Sequence, residues 1–258
     1  MRFLESRANP FLKLVRKLAR GGRRDPRFLL DGVKLVRAGL ESGVAIERAL
    51  VAPGRGSDEI PLLEGAGVEV FETTEPIFKS VSSVESPEGV LAVARRPTRA
   101  MAALEATGIV LVSAGIQDPG NLGAVARVAE AGGASALVLL KGSADPFSPK
   151  ALRGSMGSLL RVPVFENGDL ASLEALGFRI AALVARGGSD YREVDWTPPV
   201  AILLGREASG LDESAVAAAH LTVTIPMRGA IESLNVATAA ALVLYEANRR
   251  MLAPRESG

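Results

Sequence analysis

The 258-residue sequence contains no cysteine and only one histidine, His220. Without cysteine, disulfides, thiolate metal sites, iron–sulfur clusters and a cysteine nucleophile are excluded. With one histidine, multi-histidine zinc sites and HExxH proteases fall away as well. A Ser-His-Asp triad would have to use His220, and no G-x-S-x-G elbow accompanies it, so His220 reads as structural. Aromatic residues are scarce at 4%, whereas glycine is abundant at 27 residues. That balance suits packed α/β layers with tight turns better than an aromatic-rich β-sandwich. Long apolar runs are missing too. The uncharged run Ser233–Tyr245 has 13 residues, well short of the roughly 20 that span a bilayer. The opening Met1–Arg7 is charged and no apolar segment follows it, unlike a secretory signal. The expectation is a cytoplasmic protein with no membrane contact and no bound metal.

Neither sign of charge dominates the whole chain, whose formal net is +1. The distribution is uneven. Residues 1–40 hold Arg2, Arg7, Lys13, Arg16, Lys17, Arg20, Arg23, Arg24, Arg27, Lys34 and Arg37 against Glu5, Asp25 and Asp31, a local net of +8. The remaining 218 residues sum to −7. A concentrated basic segment on a near-neutral protein fits a phosphate-backbone binder, with a merely solvated helix face as the alternative. Phe11, Leu14, Val15 and Leu18 recur at helical spacing with Lys13, Arg16, Lys17 and Arg20 between them. An apolar stripe is therefore expected to dock while a basic stripe faces out.

Further on, 48–52, 68–71 and 89–94 read as short strands alternating with helical stretches over 33–40, 60–64 and 76–82. They form a small α/β domain, assigned to residues 1–96. Arg95-Arg96-Pro97-Thr98-Arg99 marks a basic, proline-containing boundary, and 97–106 is assigned as a linker. The texture then changes to continuous apolar runs at 109–112, 136–140, 178–184, 200–204 and 221–225. Such runs suit strands of a parallel sheet buried on both faces. Helical segments over 122–131, 149–158, 170–175, 212–219 and 234–250 separate them, so the βα alternation predicts an α/β domain with a mostly parallel sheet, 107–258.

In an open parallel sheet, ligands bind at loops leaving the carboxyl ends of the strands. Three such loops are rich in glycine and polar residues: Gln117–Gly123, which runs into a helix carrying Arg127, then Gly205–Leu211, then Ile225–Asn235. None fits G-x-x-x-x-G-K-[ST] or G-x-G-x-x-G, which disfavours a P-loop or ordinary dinucleotide site. Together, Asn121-x-Gly123-x-x-x-Arg127, Gly205-x-Glu207-x-x-Gly210-Leu211, and Ile225-Pro226-Met227 leading to Ser233-Leu234-Asn235-Val236 resemble three ordered motifs. They are those of the SpoU family, RNA ribose 2′-O-methyltransferases of the SPOUT superfamily. The resemblance runs from Ile109 to the C-terminus. In the first domain, Ser6-x-x-Asn9-Pro10, Lys13, Arg27-Phe28 and Asp31-Gly32 are similar to the RNA substrate-binding domain of many family members. That domain resembles a small ribosomal protein; Asp31 departs from the more usual glutamate.

The resemblance implies a deep trefoil knot in the C-terminal domain, S-adenosylmethionine bound within it, and a homodimer with active sites near the subunit junction. Backbone groups at Gly205, Ile225 and Leu234 would hold the cofactor, with Leu204, Ile225 and Leu234 as an apolar adenine slot and Met227 beside them. Arg127, Asn121, Glu207, Ser233 and Asn235 are the implied catalytic residues. The family often gives the arginine the part of a base. A guanidinium is effectively always protonated, so a bidentate grip on phosphate and stabilisation of the developing alkoxide is the preferred role for Arg127. Asn121 is either a helix cap or a residue that contacts RNA or orders the partner subunit's site. Glu207 is expected to orient Arg127 or Asn235, and Ser233 to cap the last helix. RNA contacts are expected at Arg7, Asn9, Lys13 and Arg27, and at Lys150 and Arg153 beside Gly154-Ser155-Met156-Gly157. The stripe Ala237, Ala240, Ala241 and Leu244 is expected at the dimer interface, or else buried within one subunit. The implied substrate is large-subunit ribosomal RNA, because the family's transfer-RNA members often lack the extra domain. A transfer-RNA enzyme, a base methylase, or a non-catalytic RNA-binding or ribosome-assembly protein are the alternatives.

Overall fold

The computed structural model describes residues 2–21, 25–207 and 209–249, so Arg23, Arg24, Ala208 and Arg250 lie outside the described residues. The chain divides into two compact units, Met1–Pro97 with Asp145–Arg161, and Thr98–Ala144 with Val162–Gly258.

The first unit contains β1 (Arg2–Leu4), α1 (Pro10–Ala19), β2 (Arg27–Asp31), α2 (Val33–Glu41), β3 (Ile46–Val51), α3 (Ile60–Gly65), β4 (Glu69–Thr73), α4 (Glu75–Lys79) and β5 (Val90–Arg95). Its sheet has the order β1-β4-β3-β5-β2, parallel from β1 to β3 and antiparallel at β5. Helix α1 begins where Pro10 pre-sets its first turn and Asn9 Oδ1 accepts the Phe11 amide at 2.8 Å. Both are ordinary start signals. Phe11, Leu12, Val15 and Leu18 are buried against the sheet, with Leu14 only partly covered, while Lys13, Lys17 and Arg20 are exposed. The amphipathic reading thus holds, with the apolar stripe rotated toward Leu12.

Asp25 anchors the turn after this helix. It is buried and receives Lys17 Nζ at 2.8 Å, Arg27 Nε at 2.9 Å and the Arg27 amide at 3.2 Å. The Arg27 guanidinium, helped by the Lys17 ammonium, holds the Asp25 carboxyl down at about 2. A carboxylate with a depressed native pKa stabilises the fold above its ordinary pKa, and that contribution disappears as pH falls through the native value. Asp25→Asn is therefore expected to cost about 1–2 kcal/mol at neutral pH, its exposed lysine partner being partly screened by solvent. Urea midpoints of the two proteins should converge between about pH 4 and pH 2.

The second unit contains β6 (Ile109–Ser113), α5 (Pro119–Ala131) and β7 (Ala136–Leu140). After β7 the chain enters the first unit, where it forms α6 (Pro149–Ser155) and α7 (Ser158–Arg161). It then continues through β8 (Val164–Gly168), α8 (Leu170–Ala175), β9 (Arg179–Leu183), β10 (Ser189–Asp190), β11 (Val200–Leu204), α9 (Glu213–Ala217), β12 (Leu221–Thr224) and α10 (Val236–Ala247). The seven strands run in the order β10-β12-β9-β11-β6-β7-β8, and every pair is parallel. Strands β6 and β11 are buried along their whole length, as a central strand covered on both faces requires.

The units do not follow the boundaries expected from the sequence. Leu104, placed in the linker, is buried in the second unit's core with Val110 and Val112. Segment 145–161, placed in the second domain, groups with the first unit. A buried, bidentate Arg96–Asp145 pair at 2.8 and 2.6 Å holds it there. Arg96 also lies over the Phe147 ring at 5.4 Å, and Phe147 meets Phe28 with ring centroids 4.9 Å apart. The helix expected across 149–158 is split because Met156 adopts a left-handed conformation, φ 50°, which ends a helical run.

Helix α10 buries most of its small-residue stripe, with Ala241 only half-buried. Ala237, Ala240 and Leu244 are buried inside the single chain, and Leu244 packs so tightly on Gly132 at the end of α5 that a Cβ there would lie 2.6 Å from its Cδ2. Ala237, Ala240 and Leu244 thus serve the core of the single chain. The exposed apolar groups of α10 are Leu242 and Tyr245.

Candidate active site

Strands β12, β9, β11 and β6 are neighbours, and the segments leaving their carboxyl ends converge. A cavity of about 550 Å³ is walled by residues at and after the ends of β9 (183–186), β11 (204–207 and 209–211) and β12 (225 and 227), and at the entrance to α10 (232–234, 236 and 239). Leu204, Gly205, Ile225, Met227 and Leu234, the residues expected at the cofactor, all line it, as do Glu207 and Ser233. Its size falls in the range of roughly 300–1,000 Å³ typical of cofactor pockets. Apolar side chains beside the charged Arg186, Arg206, Glu207 and Glu232 suit an adenosyl group joined to a charged amino-acid tail.

The wall at 205–211 exists because residue 205 has no side chain. A Cβ on Gly205 would lie 2.4 Å from the carbonyl carbon of Gly210 and 2.6 Å from the Leu211 nitrogen. The loop is closed by paired backbone bonds, Arg206 N to Gly210 O at 2.9 Å and Gly210 N to Arg206 O at 3.0 Å.

Beside the cavity the three motifs meet in a directional hydrogen-bond chain. Asn235 Oδ1 caps α10 by accepting the amides of Ala237 at 2.9 Å and Thr238 at 3.4 Å. That leaves its Nδ2 to donate to Asn121 Oδ1 at 3.1 Å, and Asn121 Nδ2 in turn donates to Glu207 Oε1 at 3.0 Å. Each link fixes the amide orientation of the next. The capping roles differ from those expected. Asp118 caps α5 by accepting the Asn121 amide at 2.9 Å, which releases Asn121 for the chain, and Asn235 rather than Ser233 caps α10. Glu207 is bonded by Asn121 and reaches Asn235 only through it. Asn235→Asp keeps an acceptor for the cap but removes the donor to Asn121. The expected outcome is a urea midpoint close to the parent's and turnover lowered about 10- to 100-fold.

Arg127 stands apart. It is exposed on α5 and does not line the cavity. Six residues beyond Asn121, it sits about 9 Å along the axis and on another face of the helix.

The residues expected at RNA lie in the first unit. Arg7 and Lys13 are exposed, Asn9 is spent as the α1 cap, and Arg27 is committed to Asp25, which also holds its pKa up. Lys150 is exposed near the start of α6. Arg153 is exposed but oriented, its Nη1 donating to Ser83 Oγ at 2.8 Å. Ser83 donates in turn, through its hydroxyl at 2.6 Å and its amide at 2.7 Å, to the buried Asp31. The aspartate at this position thus holds the 82–83 turn that positions Arg153. His220 is a structural residue, its Nδ1 accepting the Ile180 amide at 3.1 Å.

Sequence reasoning missed the wall at 183–186, including Arg186. Its signal was the end of an apolar run, but only the strand order places β9 next to β11 and so brings this turn to the cavity.

The chain matches the SpoU rRNA Methylase family over residues 108–245 and the MRM3-like substrate binding domain over 9–92. It is 33% identical over 251 residues to the 23S rRNA (guanosine(2553)-2'-O)-methyltransferase RlmP of Bacillus subtilis, covering 95% of this chain and 98% of that protein. Among solved structures it is similar to an AdoMet-bound rRNA methyltransferase from Sinorhizobium meliloti, with TM-score 0.89, 28% identity, and 98% and 99% of the two chains covered. The SpoU methyltransferase AviRb from Streptomyces viridochromogenes, in complex with AdoMet, superposes with TM-score 0.82 at 27% identity over 95% of this chain and 99% of that one. With its three motifs gathered at one end of a parallel sheet and more than half its length matched, this chain belongs to the SpoU rRNA methylase family.

Proposed function

We infer that the protein methylates a ribose 2′-hydroxyl of large-subunit ribosomal RNA, using S-adenosylmethionine. The observation that carries this reading is the Asn235–Asn121–Glu207 chain standing beside the cavity. When bound, S-adenosylmethionine supplies an electrophilic methyl group. The protein must place the ribose oxygen in line with it and stabilise the charge that oxygen acquires. Leu204, Ile225 and Leu234 would hold the apolar part of the cofactor, with Gly205 and Met227 completing the wall. Asn121, Glu207, Ser233 and Asn235 would order the polar side. The Arg127 guanidinium would grip a phosphate next to the target ribose and stabilise the developing alkoxide. The knot implied by the resemblance is part of the same proposal.

Arg7, Lys13, Lys150 and Arg153 would engage RNA phosphates, with Asn9 and Arg27 supporting that surface from their structural positions. The protein would act as a cytoplasmic homodimer. Two features support the dimer: Leu242 and Tyr245 are exposed on α10, and Arg127 lies on a face of α5 that does not reach its own Asn121. No helix among the described residues is long and apolar enough to cross a membrane.

The test supplies methyl-labelled S-adenosylmethionine with unmodified large-subunit rRNA, small-subunit rRNA or bulk tRNA, each also offered as ribosomal particles where relevant. Label recovered as a 2′-O-methylnucleoside from large-subunit rRNA is expected. Label in tRNA alone would move the substrate class, and label on a base would replace the reaction. Cofactor binding without transfer to any substrate would leave an RNA-binding protein.

A further inference from the structure

S-adenosylmethionine carries one carboxylate, and a carboxylate leaving water for a pocket needs a cation or several donors. Two cations line the cavity, Arg186 and Arg206. Arg206 is already placed. Its backbone closes the 205–211 loop, its Nε is buried against Gly115 without a hydrogen-bond partner, and its Nη2 lies 3.7 Å from Asp212. Arg186 differs. It follows β9 on the turn before β10, is exposed, and has no ion pair recorded among the described residues. The acid nearest to it in sequence, Asp190, is taken by Arg192, whose Nε lies 2.9 Å away. The acids lining the cavity, Glu207 and Glu232, suit the ammonium and sulfonium charges of the same ligand, though Glu207 also accepts from Asn121.

We propose that Arg186 pairs with the carboxylate of the methionine end of S-adenosylmethionine and so fixes that end of the cofactor in the cavity. Arg186 is a cofactor-binding residue outside all three motifs. The assignment rests on the cofactor reading above. It gives the carboxylate a charge partner in a cavity whose other charged lining groups are Arg206, ion-paired to Asp212, and the acids Glu207 and Glu232.

The experiment is equilibrium binding, by calorimetry, of three ligands to the full chain and to Arg186→Ala and Arg186→Lys. The ligands are S-adenosylmethionine, its decarboxylated form, which keeps the sulfonium and the amine, and 5′-methylthioadenosine, which lacks the amino-acid tail. Arg186→Ala is expected to weaken S-adenosylmethionine about tenfold, the usual scale of a charge-assisted hydrogen bond. It should leave the other two ligands within about twofold, because neither offers a carboxylate, and Arg186→Lys should recover part of the loss. Unchanged affinity for S-adenosylmethionine in the alanine variant would overturn the assignment. An equal loss of all three ligands would make Arg186 a wall of the pocket and overturn it too. If the parent protein bound none of the three, the cofactor reading itself would fall with it.

Discussion

Arg127→Lys is expected to lower methyl transfer about 100- to 1,000-fold, the usual cost of removing one preorganised donor from developing negative charge. Lysine keeps the charge but loses the planar fork that grips phosphate through two parallel bonds. The prediction is sharp because other properties should stay fixed. Arg127 is exposed on α5, where lysine and arginine have similar helix propensity, so the urea midpoint should barely move. Since Arg127 does not line the cavity, the Kd for S-adenosylmethionine should also be unchanged. Near-normal turnover in the lysine variant would remove Arg127 both from the proposed phosphate grip and alkoxide stabilisation and from the part of a base that the family often gives it.

A second copy of the chain enters the same argument. If Arg127 completes the site of the opposite subunit, Arg127→Lys and Asn121→Ala are each inactive as homodimers but complement one another when mixed. Half of the randomly reassociated dimers carry one doubly damaged site and one intact site. Mixing should therefore restore about a quarter of parental activity. If no activity returns from subunits shown to exchange, each chain must use its own Arg127.

Much of the second unit is legible in the sequence, and the gaps have one physical pattern. Strands β6, β7, β9, β11 and β12 announce themselves as apolar runs because neighbours and helices cover them. The missed strands β8, β10, β1 and β2 are the edges of their sheets. An edge strand is short or keeps polar residues, as Val164–Gly168 and Ser189–Asp190 do, and so lacks the continuous apolar signature. The motif residues were readable as types, but their connections were not. Pro119 marks the first turn of α5, which makes Asp118 the cap. Val236 likewise opens the apolar run of α10 and makes Asn235 its cap. Nothing along the chain indicates that Asp145–Arg161 joins the first unit, since that depends on the buried partner Arg96 and on Phe28 meeting Phe147.

Gly205→Ala should abolish measurable cofactor binding, weakening S-adenosylmethionine by about 100-fold or more, while leaving the protein folded. The added methyl would sit 2.4 Å from a backbone carbon of Gly210, 2.6 Å from the Leu211 nitrogen and 2.7 Å from the Gly210 oxygen. No rotamer change relieves a clash with backbone, so the loop itself must move by roughly an ångström. That loop is tied to Arg206 by two hydrogen bonds and carries Glu207, which closes the chain from Asn121. Moving it distorts the cavity wall and the polar network together, at a stability cost of about 1–3 kcal/mol. Gly210→Ala provides the contrast. Its φ of +67° makes alanine unfavourable, by about 1 kcal/mol, but its Cβ would point into open space. The second variant should lose a similar amount of stability and keep most of its cofactor affinity. Should Gly205→Ala bind S-adenosylmethionine like the parent, the 205–211 loop would not be a wall of the cofactor site. Equal loss of affinity in both variants would instead tie binding to loop stability and not to the shape of the wall.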